Sequence, residues 1–331
     1  MGSYFLRRFV YMILVLALVS LLSFYLINLP PGSWIENYAL QLEAEGTLTD
    51  QSELDFLTKR YGLDQPLYMQ YVHWIVPLIT QGDFGQSFEW KQPVWSLIQE
   101  RLFLTVVISL SSILFVYVVS IPIALYSAIN QYSLGDYVFS FVGLIGLATP
   151  NFLLALVFMV LMLRVFNVTP GGLFSPEYLR APWSIAKFLD LLSHLPVPVI
   201  VVGTAGTAGL IRVLRSQLLD EFQKQYVITA RAKGVREGRL ILKYPFRMAL
   251  NPIISGIGGL LPSIVSGSAI VSIVLGLPTT GPLLLRALIA QDTYAAASML
   301  MMLSFLTVIG VFISDLLLMW LDPRIRFEKA N

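Results

Sequence analysis

The chain has 331 residues, 56% of them hydrophobic and only 13% charged, against about 25% charge in an ordinary soluble domain. Its mean hydropathy is +0.73, and its apolar residues come in blocks of about 20, the length that crosses a bilayer, which excludes a soluble enzyme. Without cysteine there is no disulfide framework, thiolate metal site or cysteine nucleophile, the two histidines (His73 and His194) stand far apart, and 22 basic against 20 acidic residues make no case for nucleic-acid binding.

Apolar stretches at about 9 to 28, 102 to 128, 137 to 163, 195 to 211, 253 to 275 and 297 to 320 predict six transmembrane helices, hence an all-α polytopic membrane protein. The first, within residues 1–32, follows Arg7 and Arg8 as a signal peptide would. Leu29-Pro30-Pro31-Gly32 stands where a small-residue cleavage site is needed, so the helix is expected to be retained. Residues 33–100 read as an external helical cap. Asp50-Gln51-Ser52-Glu53 has capping-box spacing and opens a short helix that Gly62 closes. Pro66 to Gln81, with Tyr68, Tyr71 and Trp74, reads as a helix at the outer membrane interface, with packing against the membrane helices as the equal alternative. Residues 101–331 form a five-helix core, in which Leu210 to Arg215 prolong the fourth span by continuing its helical pattern.

Charge sets the orientation. Arg7, Arg8, the basic run from Arg212 to Arg247, and Arg324, Arg326 and Lys329 all fall in segments that are cytoplasmic if the N-terminus is inside, while most acidic residues fall in the external ones. Both termini are therefore expected in the cytoplasm. Apart from Asp315 near the inner end of the sixth span, no span carries an acid or base at mid-depth, where ion-coupled carriers and intramembrane enzymes need one. The spans are instead interrupted at Pro122, Thr149-Pro150 and Pro262, and the fifth is rich in small residues. Pro150, Ser263, Ser266 and Ser272 are the candidate pathway or gate residues, because proline frees a carbonyl and small residues let helices approach.

Two tempting motifs fail. Gly203 to Gly209 is glycine-rich but lacks the lysine and the preceding strand of a phosphate loop, so the chain is not expected to bind ATP itself. Leu277-Pro278-Thr279-Thr280-Gly281 has the form of a sortase signal, but Arg286, Gln291 and Asp292 interrupt the apolar tail that must follow. Asn167-Val168-Thr169 is a glycosylation sequon only in a cell that glycosylates.

The inner loop, residues 219–251, is the most informative segment. Lys224, Arg231, Lys233, Arg236, Arg239, Lys243 and Arg247 alternate there with Tyr226, Val227, Ile228, Ala230, Leu240, Ile241 and Leu242. The pattern predicts a helix over Tyr226 to Lys233, a turn at Gly234 and a second helix from Glu237 to Lys243. A topology-setting basic loop does not explain the apolar residues at its tip, which point to a docking surface.

Tyr226-Val227-Ile228-Thr229-Ala230-Arg231-Ala232-Lys233-Gly234 resembles the coupling-loop motif of permease subunits of ATP-binding-cassette importers, in the dipeptide, oligopeptide and nickel branch. The resemblance extends over nearly the whole chain, through Tyr61-Gly62-Leu63-Asp64-Gln65-Pro66-Leu67, Gly82-Asp83-Phe84-Gly85-Gln86-Ser87, Thr149-Pro150-Asn151-Phe152, Asp292-Thr293-Tyr294 and Asp322-Pro323-Arg324-Ile325-Arg326. Ile228 replaces the glutamate of the general motif. Ser272 and Pro278-Thr279-Thr280-Gly281 stand where peptide permeases commonly carry an acid and then Pro-Gly-x-Gly, which leaves oligosaccharides or glycosides open beside oligopeptides.

The resemblance implies the type I importer permease fold in a bacterial inner membrane, with no bond chemistry and no cofactor in this chain. ATP and Mg would be bound by one or two kinds of partner ATPase subunit, a second homologous permease would complete the pathway, and an external binding protein would deliver the solute. Tyr226, Ala230, Arg231, Ala232, Lys233 and Gly234 would couple the chain to the ATPase. The alternatives are a secondary carrier or channel needing no ATPase, and a membrane-embedded enzyme; the lack of mid-depth charge argues against the first and the lack of a buried nucleophile with its base against the second.

Overall fold

A computed structural model describes residues 2–44, 51–167 and 171–321, and over these the chain is helical with no strand beyond an isolated bridge between Gln86 and Pro93. In chain order the elements begin with α1 (Gly2–Ile27), α2 (Trp34–Ala44), α3 (Gln51–Tyr61), α4 (Leu67–Gln81) and the long α5 (Val94–Ile129). They continue with α6 (Leu134–Ala148) and α7 (Asn151–Leu161), which ends in a π-turn at Met162–Phe166, then α8 (Ile185–His194) and α9 (Pro196–Phe222). Next come α10 (Gln225–Ala232), α11 (Glu237–Lys243), α12 (Pro245–Ala249), α13 (Asn251–Val274), α14 (Thr280–Ile289) and α15 (Thr293–Leu321).

Among the described residues four helices are long and apolar enough to cross a membrane: Arg7–Ile27, Val94–Ile129, Pro196–Phe222 and Thr293–Leu316. A fifth span is obtained if the bent pair Leu134–Ala148 and Asn151–Phe166 crosses as one. The remaining predicted span is α13, a helix of 24 residues. Only one of the three expected proline interruptions ends a helix. Thr149 is extended, at φ −89° and ψ 123°, because the ring of Pro150 disfavours the helical region for the residue before it; α6 and α7 meet there at 107°. α5 continues through Pro122 and α13 through position 262, since the apolar residues on both sides keep the helix as the way to satisfy the backbone in lipid. The Gly203 to Gly209 stretch lies inside α9.

The chain divides into two units. The first comprises Met1–Leu104 with Thr279–Val308. Its core stacks Phe24 on Trp74, centroids 5.6 Å apart, and adds Val94, Ile98, Leu283, Ala287 and Ala295 to Ala297. Trp74 Nε1 donates to Ser298 Oγ at 3.0 Å, and Tyr71 Oη shares a hydrogen bond of 2.9 Å with Ser20 Oγ. Of the three interfacial aromatics, Tyr71 and Trp74 thus pack inward, and Tyr68 is exposed. Gly62 ends α3 at φ +65° as expected, whereas Asp50 of the proposed cap lies outside the described residues. Two family motifs far apart in sequence meet in this unit: Ser87 Oγ donates to Asp292 Oδ2 at 2.5 Å, Glu89 N to the same oxygen at 3.0 Å, and Ala295 N to Oδ1 at 3.1 Å. Burial raises the Asp292 carboxyl above the ordinary carboxylate range, against the pull of these three donors.

The second unit comprises Thr105–Pro278 with Ile309–Asn331. Here α9 is central and packs against α6, α7, α12 and α13. The contact with α6 depends on Gly146, where a Cβ would stand 2.6 Å from Thr204 Cγ2; a missing side chain lets two membrane helices approach closely. Asp136, in the first turn of α6, is buried and holds Arg215 of α9 through Nε at 2.9 Å and Nη2 at 2.7 Å.

Candidate functional site

The segment from Gln225 to Lys243 folds as its sequence predicts, within a residue at the first helix. α10 is closed by the paired hydrogen bonds of a glycine C-cap: Gly234 N donates to Arg231 O at 3.0 Å and Val235 N to Ala230 O at 3.3 Å. Gly234 has φ +77°, in the left-handed region that L side chains avoid, and the turn lets α11 start three residues later. Val227 and Leu240 are fully buried, Ala230 and Ile241 nearly so, and together they form a small core. Leu125, Phe222, Val235 and Tyr244 pack against it, which anchors this helical knob to the ends of α5 and α9.

That core divides the candidate residues. Ala230 and Val227, one turn apart, face inward, so Ala230 does not belong to the exposed surface its place in the motif implied. Tyr226, Ile228, Thr229, Arg231, Ala232, Lys233 and Gly234 are exposed. Arg231 spends its charge locally, on Glu237, with Nη2 to Oε1 at 2.6 Å and Nε to Oε2 at 3.2 Å. The bond to Arg231 holds Glu237 below the usual carboxylate range, and Arg231 is correspondingly raised. Tyr226 Oη donates to Glu221 Oε2; partial burial and the Glu221 carboxylate push the phenol up. The outward face thus presents the Tyr226 ring, Ile228, Thr229, Ala232 and the ammonium of Lys233 on a frame braced at both ends.

The candidate pathway residues are less unified. Pro150 is exposed at the α6–α7 bend, and its neighbour Asn151 approaches α13, with Nδ2 3.5 Å from where a Cβ on Gly267 would be. Ser272 on α13 is fully buried and its Oγ has no hydrogen-bond partner. The side chains of Ser263 and Ser266 lie outside the described residues, as do Asp322 to Arg326 of the last motif and Val168 and Thr169 of the sequon. The Asp136–Arg215 and Ser87–Asp292 contacts were not anticipated from the sequence; for the second, the joint presence of its two motifs was the available signal. Among the described residues no group of three or more His, Asp or Glu side chains could hold a metal ion.

Residues 120–327 match the family described as binding-protein-dependent transport system inner membrane component, and residues 1–111 match the N-terminal family of the same membrane components. The chain belongs to this permease family. Among the permease's curated relatives, the oligopeptide transport system permease protein AppB of Bacillus subtilis is 35% identical over 329 residues, covering 99% of this chain and 100% of that protein. The peptidoglycan transport system permease protein YejB of Agrobacterium fabrum is 28% identical over 365 residues, 100% of both chains. The dipeptide transport system permease protein DppB of Escherichia coli is 26% identical over 345 residues, 99% of this chain and 100% of that protein. The permease is therefore a multi-pass protein of the bacterial inner membrane and a component of a binding-protein-dependent importer of the ATP-binding-cassette type. The expected oligosaccharide or glycoside substrates gain no support from these relatives.

Proposed function

We propose that this permease forms half of the translocation pathway of an ATP-driven peptide importer, and that α10 and the Gly234 turn receive the motion of a partner ATPase. The observation that carries this reading is the knob itself: a small private core, a glycine-capped first helix, two side-chain braces and an exposed face of Tyr226, Ile228, Ala232 and Lys233. A loop serving only to set topology needs none of these. The apolar residues on that face gain by burial in a cleft, and the buried Val227 and Leu240 make the knob move with the ends of α5 and α9. α9 ends two residues before α10 starts, so a push on α10 is transmitted back along a continuous helix to the segment packed on α6, α7 and α13.

In this reading the chain spans the membrane six times with both termini in the cytoplasm. A second homologous permease completes the path, one or two kinds of ATPase subunit bind ATP and Mg, and an external binding protein presents the solute. This chain supplies no catalytic group. The relatives named for oligopeptides and dipeptides favour a peptide as that solute. Purification with its partners followed by ATP-dependent uptake of a labelled oligopeptide into vesicles tests the reading; uptake by the chain alone, without nucleotide, would replace it with a secondary carrier.

A further inference from the structure

We propose that the groove between α6 and α9 is a binding site for one anionic phospholipid, its phosphate held by Arg212 and an acyl chain lying along the apolar wall. The groove is a cavity of about 480 Å³ lined mainly by the apolar Phe139, Leu144, Ala208 and Ile211, with the hydroxyls of Ser140 and Ser216 and, toward the end of α9, Arg212 and Arg215. All of it lies within the second unit.

The two arginines differ in what is left of their charge. Arg215 binds both oxygens of Asp136, whose Oδ2 also accepts from Tyr132 N at 3.0 Å; that carboxylate is committed and the pair is neutral. Arg212, one turn earlier on α9, is exposed and has no ion-pair partner among the described residues. One uncompensated positive charge therefore stands at the mouth of a largely apolar groove on helices apolar enough to lie in a bilayer. A cation at that depth is stable where it meets an anion at the membrane interface.

An anion continuous with a long apolar tail matches both ends of the groove. A peptide segment laid along the same wall would bury a run of amide groups with only the hydroxyls of Ser140 and Ser216 beside the arginines to meet them. Arg212 lies toward the end of α9 that leads into the knob, so under the orientation proposed above the lipid belongs to the inner leaflet. The site rests on that reading for its leaflet only. Its occupancy would brace α6 against the helix that carries the knob's motion.

The test is native mass spectrometry of the purified assembly taken from vesicles of phosphatidylcholine with and without phosphatidylglycerol. Wild type is expected to retain one more phosphatidylglycerol than Arg212→Gln, whose retention falls about fivefold, the worth of one interfacial cation, while Arg212→Lys keeps it. Ser140→Trp, which fills the groove from an exposed lining position without altering charge, should also lose the lipid. Equal retention in wild type and Arg212→Gln would overturn the proposal. Loss of the second permease with lipid retention unchanged would reassign the groove to a subunit contact, and displacement of phosphatidylglycerol by a peptide would reassign it to the pathway. Cysteine labelling that places Glu237 outside would move the site to the other leaflet without changing these retentions.

Discussion

Arg231 and Glu237 close the Gly234 turn from the side: the guanidinium meets the carboxylate in two bonds of 2.6 and 3.2 Å, across six residues and from one helix to the next. The glycine cap sets the path of the backbone, and this pair fixes the angle at which α10 stands on α11. Both partners are exposed, so the pair acts on the aim of the knob more than on global stability.

Glu237→Gln is accordingly expected to leave insertion and accumulation unchanged and to lower peptide uptake by about twofold to fivefold, the range of an exposed ion pair. The pair also has a pH signature. Glu237 is depressed in the folded state, so the brace is fully present above the ordinary carboxylate pKa and is lost as pH falls through the lowered value. Uptake measured with the cytoplasmic face made progressively acidic should decline in wild type and be flatter in Glu237→Gln; parallel profiles would remove the pair from coupling.

In the first unit, Asp292 joins the segment around Ser87 to the start of α15 and is fully buried. Asp292→Ala leaves Ser87 Oγ and Glu89 N without their buried acceptor and should destabilise by about 2 to 4 kcal/mol, with Asp292→Asn losing less. Thermal unfolding in detergent reads the difference. The folded carboxyl is raised, so its contribution is fully present below the unfolded pKa and is lost as pH rises through the folded value; the asparagine variant should lack that slope. Gly85→Ala should be destabilising nearby, because Gly85 has φ +78° and its Cβ would stand 2.9 Å from Tyr294 Cδ2.

Local chemistry was legible in the sequence and distant pairing was not. A glycine between two short amphipathic stretches is enough to place α10, the turn and α11, because the cap needs only neighbours along the chain. The inward turn of Ala230 depends on Leu240 and Ile241 reaching it across that turn, which the periodicity of an eight-residue helix hardly reveals. In the sequence Arg215 only prolongs the fourth span and nothing singles out Asp136; the packing of α6 on α9 makes them a pair. Pro122 shows the opposite error, in which a local helix-breaking rule is overruled by the need to satisfy the backbone inside a membrane.

Orientation has its own test. The chain has no cysteine, so single cysteines report cleanly. Ser52→Cys is expected to react with a membrane-impermeant thiol reagent added to intact cells, and Glu237→Cys only after the membrane is opened; the reverse pattern would invert the topology.

The central claim, that the knob carries ATP-driven motion into the membrane helices, is tested most directly at Gly234. No atom lies within 4 Å of a Cβ built there, so a side chain meets no clash and only the backbone is strained, by about 1 to 3 kcal/mol for a β-branched residue. Gly234→Val should therefore accumulate and assemble, whereas Gly234→Asn, which tolerates positive φ, serves as the matched control. In the reconstituted assembly, the account predicts that Gly234→Val abolishes peptide uptake and uncouples it from ATP hydrolysis, while Gly234→Asn transports and the binding protein's affinity for peptide is unchanged. Near-normal uptake by Gly234→Val would contradict it.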